Sequence, residues 1–178
     1  MFRNDPKGRR QVPPLDAAAL ERLALRYVER FATTRGRLAD YLTRKIRERG
    51  WQGDPADTRA LAERMAELGY IDDRAFGEAR AGAMLRRGLG HRRVSGALRA
   101  AGIDEEDAAA IAPTIAAGEQ AAALAFARRK RIGPFGTAVP DRETRQKQIG
   151  AMIRAGHDMD LARKIVDFAP GQEVEAFD

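Results

Sequence analysis

Apolar residues recur every three or four positions along this chain, and each run is cut by a glycine or by an acid placed to cap the next helix. Asp16 is positioned to cap a first helix with Leu20, Leu23, Tyr27 and Phe31 at helical spacing. Thr33 and Thr34 end it and offer a cap for a second helix, with Leu38, Leu42 and Ile46 on one stripe and Gly50 as its stop. Asp54-Pro55, a cap followed by proline at the first helical position, predicts a third start. Leu61, Met65 and Leu68 form its apolar face, and Gly69 ends it.

A second group follows the same plan. Asp72 predicts a cap for a helix through Phe76, Ala79, Ala83 and Met84 that ends at Gly88. Gly90 opens the next, with Val94 and Leu98 inside and Gly102 closing it, and Asp104 caps a third with Glu105, Glu106 and Asp107 in its first turn. In the third group a helix over Ala122–Arg131 breaks at Gly133-Pro134, and a loop spans roughly 135–140. Ile149, Met152 and Ile153 line a helix ending at Gly156, and Asp158 caps a last one that buries Leu161, Ile165 and Phe168. The recurring order, a middle helix closed by glycine and then a capped helix, predicts stacked three-helix modules over 15–69, 70–117 and 118–169. A polar basic arm over 1–14 and an acidic tail over 170–178 flank them.

Composition narrows the class. Alanine is abundant and β-branched residues are few, which favours helices over sheet. Cysteine is absent, so no disulfide or thiolate metal site is possible and a reducing compartment fits. The sequence from Met1 to Lys7 shows no apolar signal region, and no apolar run looks long enough to span a bilayer. Lys+Arg number 32 against 26 acids, a net charge of +6, and arginine dominates lysine. The flat guanidinium fork suits phosphate and carboxylate, so nucleic acid is the leading partner class.

Candidate chemistry is sparse. His91 and His157 lie in different modules without a motif that gathers metal ligands; His91 reads as an exposed polar residue and His157 as a turn residue. Asp72-Asp73 is the one tempting carboxylate pair for a magnesium nuclease, but a cap and a first-turn acid explain it more simply. Gly88-Leu89-Gly90 lacks the lysine and hydroxyl of a phosphate loop, and Ser95, the single serine, sits mid-helix. Basic clusters are the informative feature. Arg86, Arg87, His91, Arg92, Arg93 and Arg99 crowd one helix–turn–helix, and Arg128, Arg129, Lys130 and Arg131 end another helix. Cations at helix ends also simply complement the dipole. No aromatic residues interleave these clusters, so contacts to a nucleic acid are expected to be electrostatic and blind to sequence.

The segment Glu67-Leu68-Gly69-Tyr70-Ile71-Asp72-Asp73-Arg74-Ala75-Phe76 resembles the signature of the RecX family, regulators of the RecA recombinase. The resemblance continues through Arg86-Arg87, Gly88-Leu89-Gly90, Val94, Leu98 and Gly102-Ile103, and into the first module at Thr34, Leu38 and Leu42. Met84, Leu89 and Ala101 depart from frequently basic, aromatic and basic positions of the family. The resemblance implies an all-α fold without sheet, an elongated curved array of three tandem three-helix repeats of helix-turn-helix or winged-helix-like type. It also implies a protein that binds RecA and its filaments on single-stranded DNA and inhibits them, damping recombination, DNA repair and the SOS response. Such a protein is a non-catalytic, cytoplasmic monomer with no cofactor and no membrane partner. The expected contacts are Arg86, Arg87, Arg92, Arg93 and Arg128, Arg129, Lys130, Arg131, with Gly69, Tyr70, Asp72, Asp73, Phe76 and Gly102 as structural signature. The rival readings are a sequence-specific DNA-binding regulator with Gly90–Gly102 as recognition helix, and the magnesium nuclease.

Overall fold

The computed structural model describes residues 13–174, which form eight α-helices and no strand; most of the basic arm and the last residues of the acidic tail lie outside the described residues. The all-helical expectation holds. The chain divides into two compact units that meet in sequence between Ile71 and Asp72.

The first unit holds α1 (Ala17–Arg30), α2 (Arg35–Arg49) and α3 (Thr58–Glu67). Asp16 caps α1 by accepting from the Ala19 N–H at 2.7 Å, and the Thr34 hydroxyl accepts from the Arg37 N–H at 3.2 Å to cap α2. Leu20, Ala24, Val28, Leu38, Ala39, Leu42, Ala62 and Met65 make the core. An isolated parallel bridge between Leu15 and Trp51 ties the segment before α1 to the α2–α3 connection, through Leu15 N–H to Gly50 O and Gln52 N–H to Leu15 O. Two expectations change here. The cap of α3 is Asp57, not Asp54, because the Trp51 indole N–H donates to the Asp54 carbonyl at 2.7 Å and holds that segment in a turn. Phe31 and Leu68 fall at the helix ends rather than on buried stripes and stay exposed.

The second unit holds α4 (Asp73–Arg86), α5 (His91–Arg99), α6 (Glu105–Lys130), a 3-10 turn at Gly133–Phe135, α7 (Arg142–Arg154) and α8 (Met159–Val166). α4 buries Asp73, Gly77, Ala81 and Leu85, not the Phe76–Ala79–Ala83–Met84 side; Ala79 and Ala83 are exposed. The reason is close approach to α6. A Cβ on Gly77 would lie 2.4 Å from Ile111 Cδ1, and one on Gly118 would lie 2.8 Å from Leu85 Cδ1. Small residues therefore mark the packed side, whereas periodicity reading follows large ones.

α6 is one continuous helix of 26 residues where the sequence pattern predicts two, so the division expected between residues 117 and 118 falls inside it. Pro113 deprives the Ala109 carbonyl of its helical partner, yet Ile111 and Ile115 on either side are buried and hold the helix through it. α6 serves two cores. Ile111, Ile115 and Ala122 pack with Ala81, Leu85, Val94 and Leu98, while Ala123, Phe126 and Ala127 pack with Ile149, Met152, Ala162 and Ile165. Contrary to the reading of the sequence, the helix is long and apolar enough by composition to cross a membrane. Its apolar residues at these positions are committed to the two cores, and acids and cations close its ends.

Candidate nucleic-acid interface

The basic clusters sit at helix ends, and the way those ends are built decides which cations are free. Gly69, Gly88, Gly102 and Gly156 all take positive φ just past a helix. In each case the next N–H returns to a carbonyl one turn back: Tyr70 to Met65, Leu89 to Met84, Ile103 to Leu98, His157 to Met152. This gives the signature glycines Gly69 and Gly102 their physical role as helix stops. The other signature residues spread out: Asp72 caps α4 by accepting from the Ala75 N–H at 2.8 Å, Asp73 is buried, Phe76 is partly buried, and the Tyr70 ring is half exposed. Asp72 thus has the capping role that its position before the helix predicts.

α6 ends with the same turn, Ile132 N–H returning to Ala127 O, but its left-handed residue is Arg131 at φ 54°. Among the described residues it is the one non-glycine with positive φ. That backbone costs a side-chain-bearing residue roughly 1 kcal/mol. Arg131→Gly is accordingly expected to raise stability by about 1 kcal/mol, read as a higher urea midpoint; an unchanged or lower midpoint contradicts the strain.

The structure brings Arg86, Arg87, Arg128 and Arg129 together where the C-terminal ends of α4 and α6 meet. Arg86, Arg128 and Arg129 line a shallow hollow floored by Ala121, Leu124 and Ala125. Arg129 donates to the Arg87 carbonyl at 2.6 Å, so it completes the end of α4. Its guanidinium lies 5.5 Å from the Phe126 ring centroid, and that of Arg128 lies 4.9 Å from Phe135. Aromatic support is thus present beneath this cluster, correcting the expectation of none; sequence reading missed it because Phe135 returns on the 3-10 turn. No carboxylate among the described residues pairs with Arg86, Arg87, Arg128, Lys130 or Arg131.

Arg92 and Arg93 do something else. Arg93 donates to the Arg154 carbonyl at 2.9 Å, and Arg92 lies 3.8 Å from Asp158. Both belong to a junction between the α4–α5 turn and the α7–α8 turn. Gly90 N–H donates to Ala155 O at 3.0 Å and Arg92 N–H to Gly156 O at 3.1 Å. His157, fully buried rather than a simple turn residue, sends Nε2 to the Gly88 carbonyl at 3.1 Å and packs edge-on against Phe126. His91 is half-buried and pairs with Glu119 at 2.9 Å, not a lone exposed residue.

Burial holds the pKa of His157 below its ordinary value of 6.5, and its Nδ1 has no partner. The unfolded chain therefore takes up the proton more readily than the folded one. Stability is complete above about pH 6.5 and falls as the pH drops below that value. Urea midpoints at pH 7.5 and 5.5 measure this fall, and His157→Gln, which does not titrate, is expected to shrink it. An equal fall in that variant removes His157 as its source.

Fold and surface together define an all-helical protein that presents helix-end arginines at one corner of its second unit. No protein-family model matches the chain. Individual relatives do. The regulatory protein RecX of Myxococcus xanthus is 32% identical over 174 residues, covering 93% of this chain and 91% of that protein. That of Agrobacterium fabrum is 29% identical over 148 residues, covering 80% and 79%. The crystal structure of RecX from Lactobacillus salivarius superposes with a TM-score of 0.62 at 17% identity, over 84% of this chain and 93% of that one, and shares the fold. The chain belongs to the RecX family of regulatory proteins.

Proposed function

We propose that this protein binds the RecA recombinase and its filaments on single-stranded DNA and inhibits recombinase activity, restraining recombination, DNA repair and the SOS response. It acts without catalysis or cofactor, as a cytoplasmic monomer. Family membership supports the RecA-regulating role, and one observation supports the contact surface: Arg86, Arg87, Arg128, Lys130 and Arg131 crowd the ends of two helices with no carboxylate partner among the described residues. Cations in such an arrangement lower the cost of approaching phosphates or acidic protein surface, and their effect weakens with salt. Arg131 adds weight, because an arginine stands in the left-handed position that Gly69, Gly88, Gly102 and Gly156 fill at the ends of their helices.

The rival reading of α5 as a recognition helix fares poorly. Such a helix needs its N-terminal residues free to reach base edges. Here Gly90 and Arg92 donate their backbone N–H groups to the α7–α8 turn, and the Arg93 guanidinium donates to the carbonyl of Arg154 at the end of α7.

The test is capture of purified RecA on the immobilised chain, with and without single-stranded DNA and a nucleotide that supports filaments. RecA is expected to be retained, more strongly as a filament, and to be released by salt. Absence of retention in both states rejects the proposal.

A further inference from the structure

A second aromatic–cationic surface lies in the first unit, far along the chain from the arginine corner. Tyr27 on α1 stacks on Tyr41 of α2, with ring centroids 4.3 Å apart and planes 25° from parallel. Phe31, at the end of α1, leans on Tyr27 at 5.2 Å and is 49% exposed. Cations surround the three rings. The Arg30 guanidinium lies 5.5 Å from the Phe31 centroid, and Arg44 and Lys45 lie 5.7 and 5.8 Å from that of Tyr41. Glu48 answers part of this charge by pairing with Arg44 and Lys45, and Arg30 has no carboxylate partner among the described residues.

A core does not require this arrangement. The buried stripe of α1 is Leu20–Ala24–Val28, and Tyr27 and Tyr41 lie only at the margin of that core, with Phe31 beyond it. A half-exposed phenyl ring, two tyrosines in file behind it and long cationic side chains alongside offer what an unpaired nucleotide needs. The ring supplies a π-face for the base, and the cations supply charge for the phosphate. Duplex DNA, with its bases already stacked, gains nothing from the ring.

We propose that Phe31, backed by Tyr27 and Tyr41 and flanked by Arg30, Arg44 and Lys45, is a base-stacking site for single-stranded nucleic acid. It rests on the reading that this protein meets single-stranded DNA, and it adds a contact in the first unit that depends on the base rather than on charge alone. The site has no sequence preference, because every base has a π-face.

The experiment compares a fluorescently labelled oligothymidylate with an abasic oligomer of the same length and charge, titrated with the full chain. Oligothymidylate is expected to bind at least about fivefold more tightly, the lower range of what one stacked base contributes. Phe31→Leu, which keeps the bulk and loses the π-face, is expected to abolish most of that ratio, and Phe31→Tyr to retain it. Equal affinities for the two oligomers, or a ratio indifferent to Phe31→Leu, overturn the site. RecA capture by the same Phe31→Leu variant separates the two readings: retention with a lost ratio leaves the RecA proposal standing, and loss of RecA capture by the unaltered chain rejects that proposal alone.

Discussion

Adding one methyl group at Gly90 is expected to destabilise the second unit by about 3 kcal/mol, a fall in Tm on the order of 10 °C. A Cβ there would lie 2.3 Å from the carbonyl carbon of Gly156 and 2.4 Å from its oxygen, and both are backbone atoms that no side-chain rotation can clear. The α4–α5 turn must then back away from the α7–α8 turn. Four hydrogen bonds stretch together: Gly90 to Ala155, Arg92 to Gly156, Arg93 to Arg154 and His157 to Gly88. Each contributes about 1 kcal/mol net, and the buried polar groups left behind add to the loss. Gly96 on the same helix provides the opposite case. A Cβ at Gly96 meets nothing within 4 Å, so Gly96→Ala is expected to stabilise by about 0.5–1 kcal/mol. Chemical denaturation of both variants measures the contrast, and hydrogen exchange at the Gly90 and Arg92 amides locates it. A Gly90→Ala protein as stable as the original contradicts the docking of the two turns.

Reversing the charge at Arg86, Arg87, Arg128 and Lys130 to glutamate is expected to raise the protein concentration needed to inhibit RecA's DNA-dependent ATPase at least about tenfold. Four substitutions change the local charge by about eight units where no carboxylate among the described residues pairs with these cations, and exposed charges act mainly on association. Binding to free single-stranded DNA should weaken in parallel, with the salt dependence falling by about 0.7 of a unit per lost phosphate contact. Arg129 stays untouched because it completes the end of α4 through the Arg87 carbonyl. Glutamates at helix C-termini also cost stability, so the same four positions as glutamine form the companion variant, expected to lose less inhibition and to remain folded. Reversal of the exposed Arg22, Arg59, Arg142 and Arg163 leaves the same net charge and is expected to inhibit nearly as well as the unaltered protein. Equal loss in both sets would reduce the corner to its share of the net charge.

The partition of cations into supporting and available ones also bears on specificity. Arg92 and Arg93 stood with Arg86 and Arg87 as contact candidates in the sequence, four residues within eight positions. In the folded unit they serve the inter-turn junction, and their substitution is expected to act through stability first.

Helix positions and stops were open to reading in the sequence because their causes are local. Asp16, Thr34, Asp72, Asp104 and Asp158 each satisfy an N–H two or three residues ahead, and Gly69, Gly88, Gly102 and Gly156 each supply a left-handed turn. The all-helical class followed from the same short-range pattern, whereas the RecX resemblance rested on the particular residues of the Glu67–Phe76 run and those after it. Tertiary structure alone decided the rest. It set which side of α4 is buried, because Gly77 and Gly118 matter through the side chains of Ile111 and Leu85 distant in sequence. It carried α6 unbroken through Pro113 by burying Ile111 and Ile115, and it turned His157 inward onto Gly88. It also sorted the arginines, since a guanidinium that finds a carbonyl across the fold looks the same in sequence as one left in water.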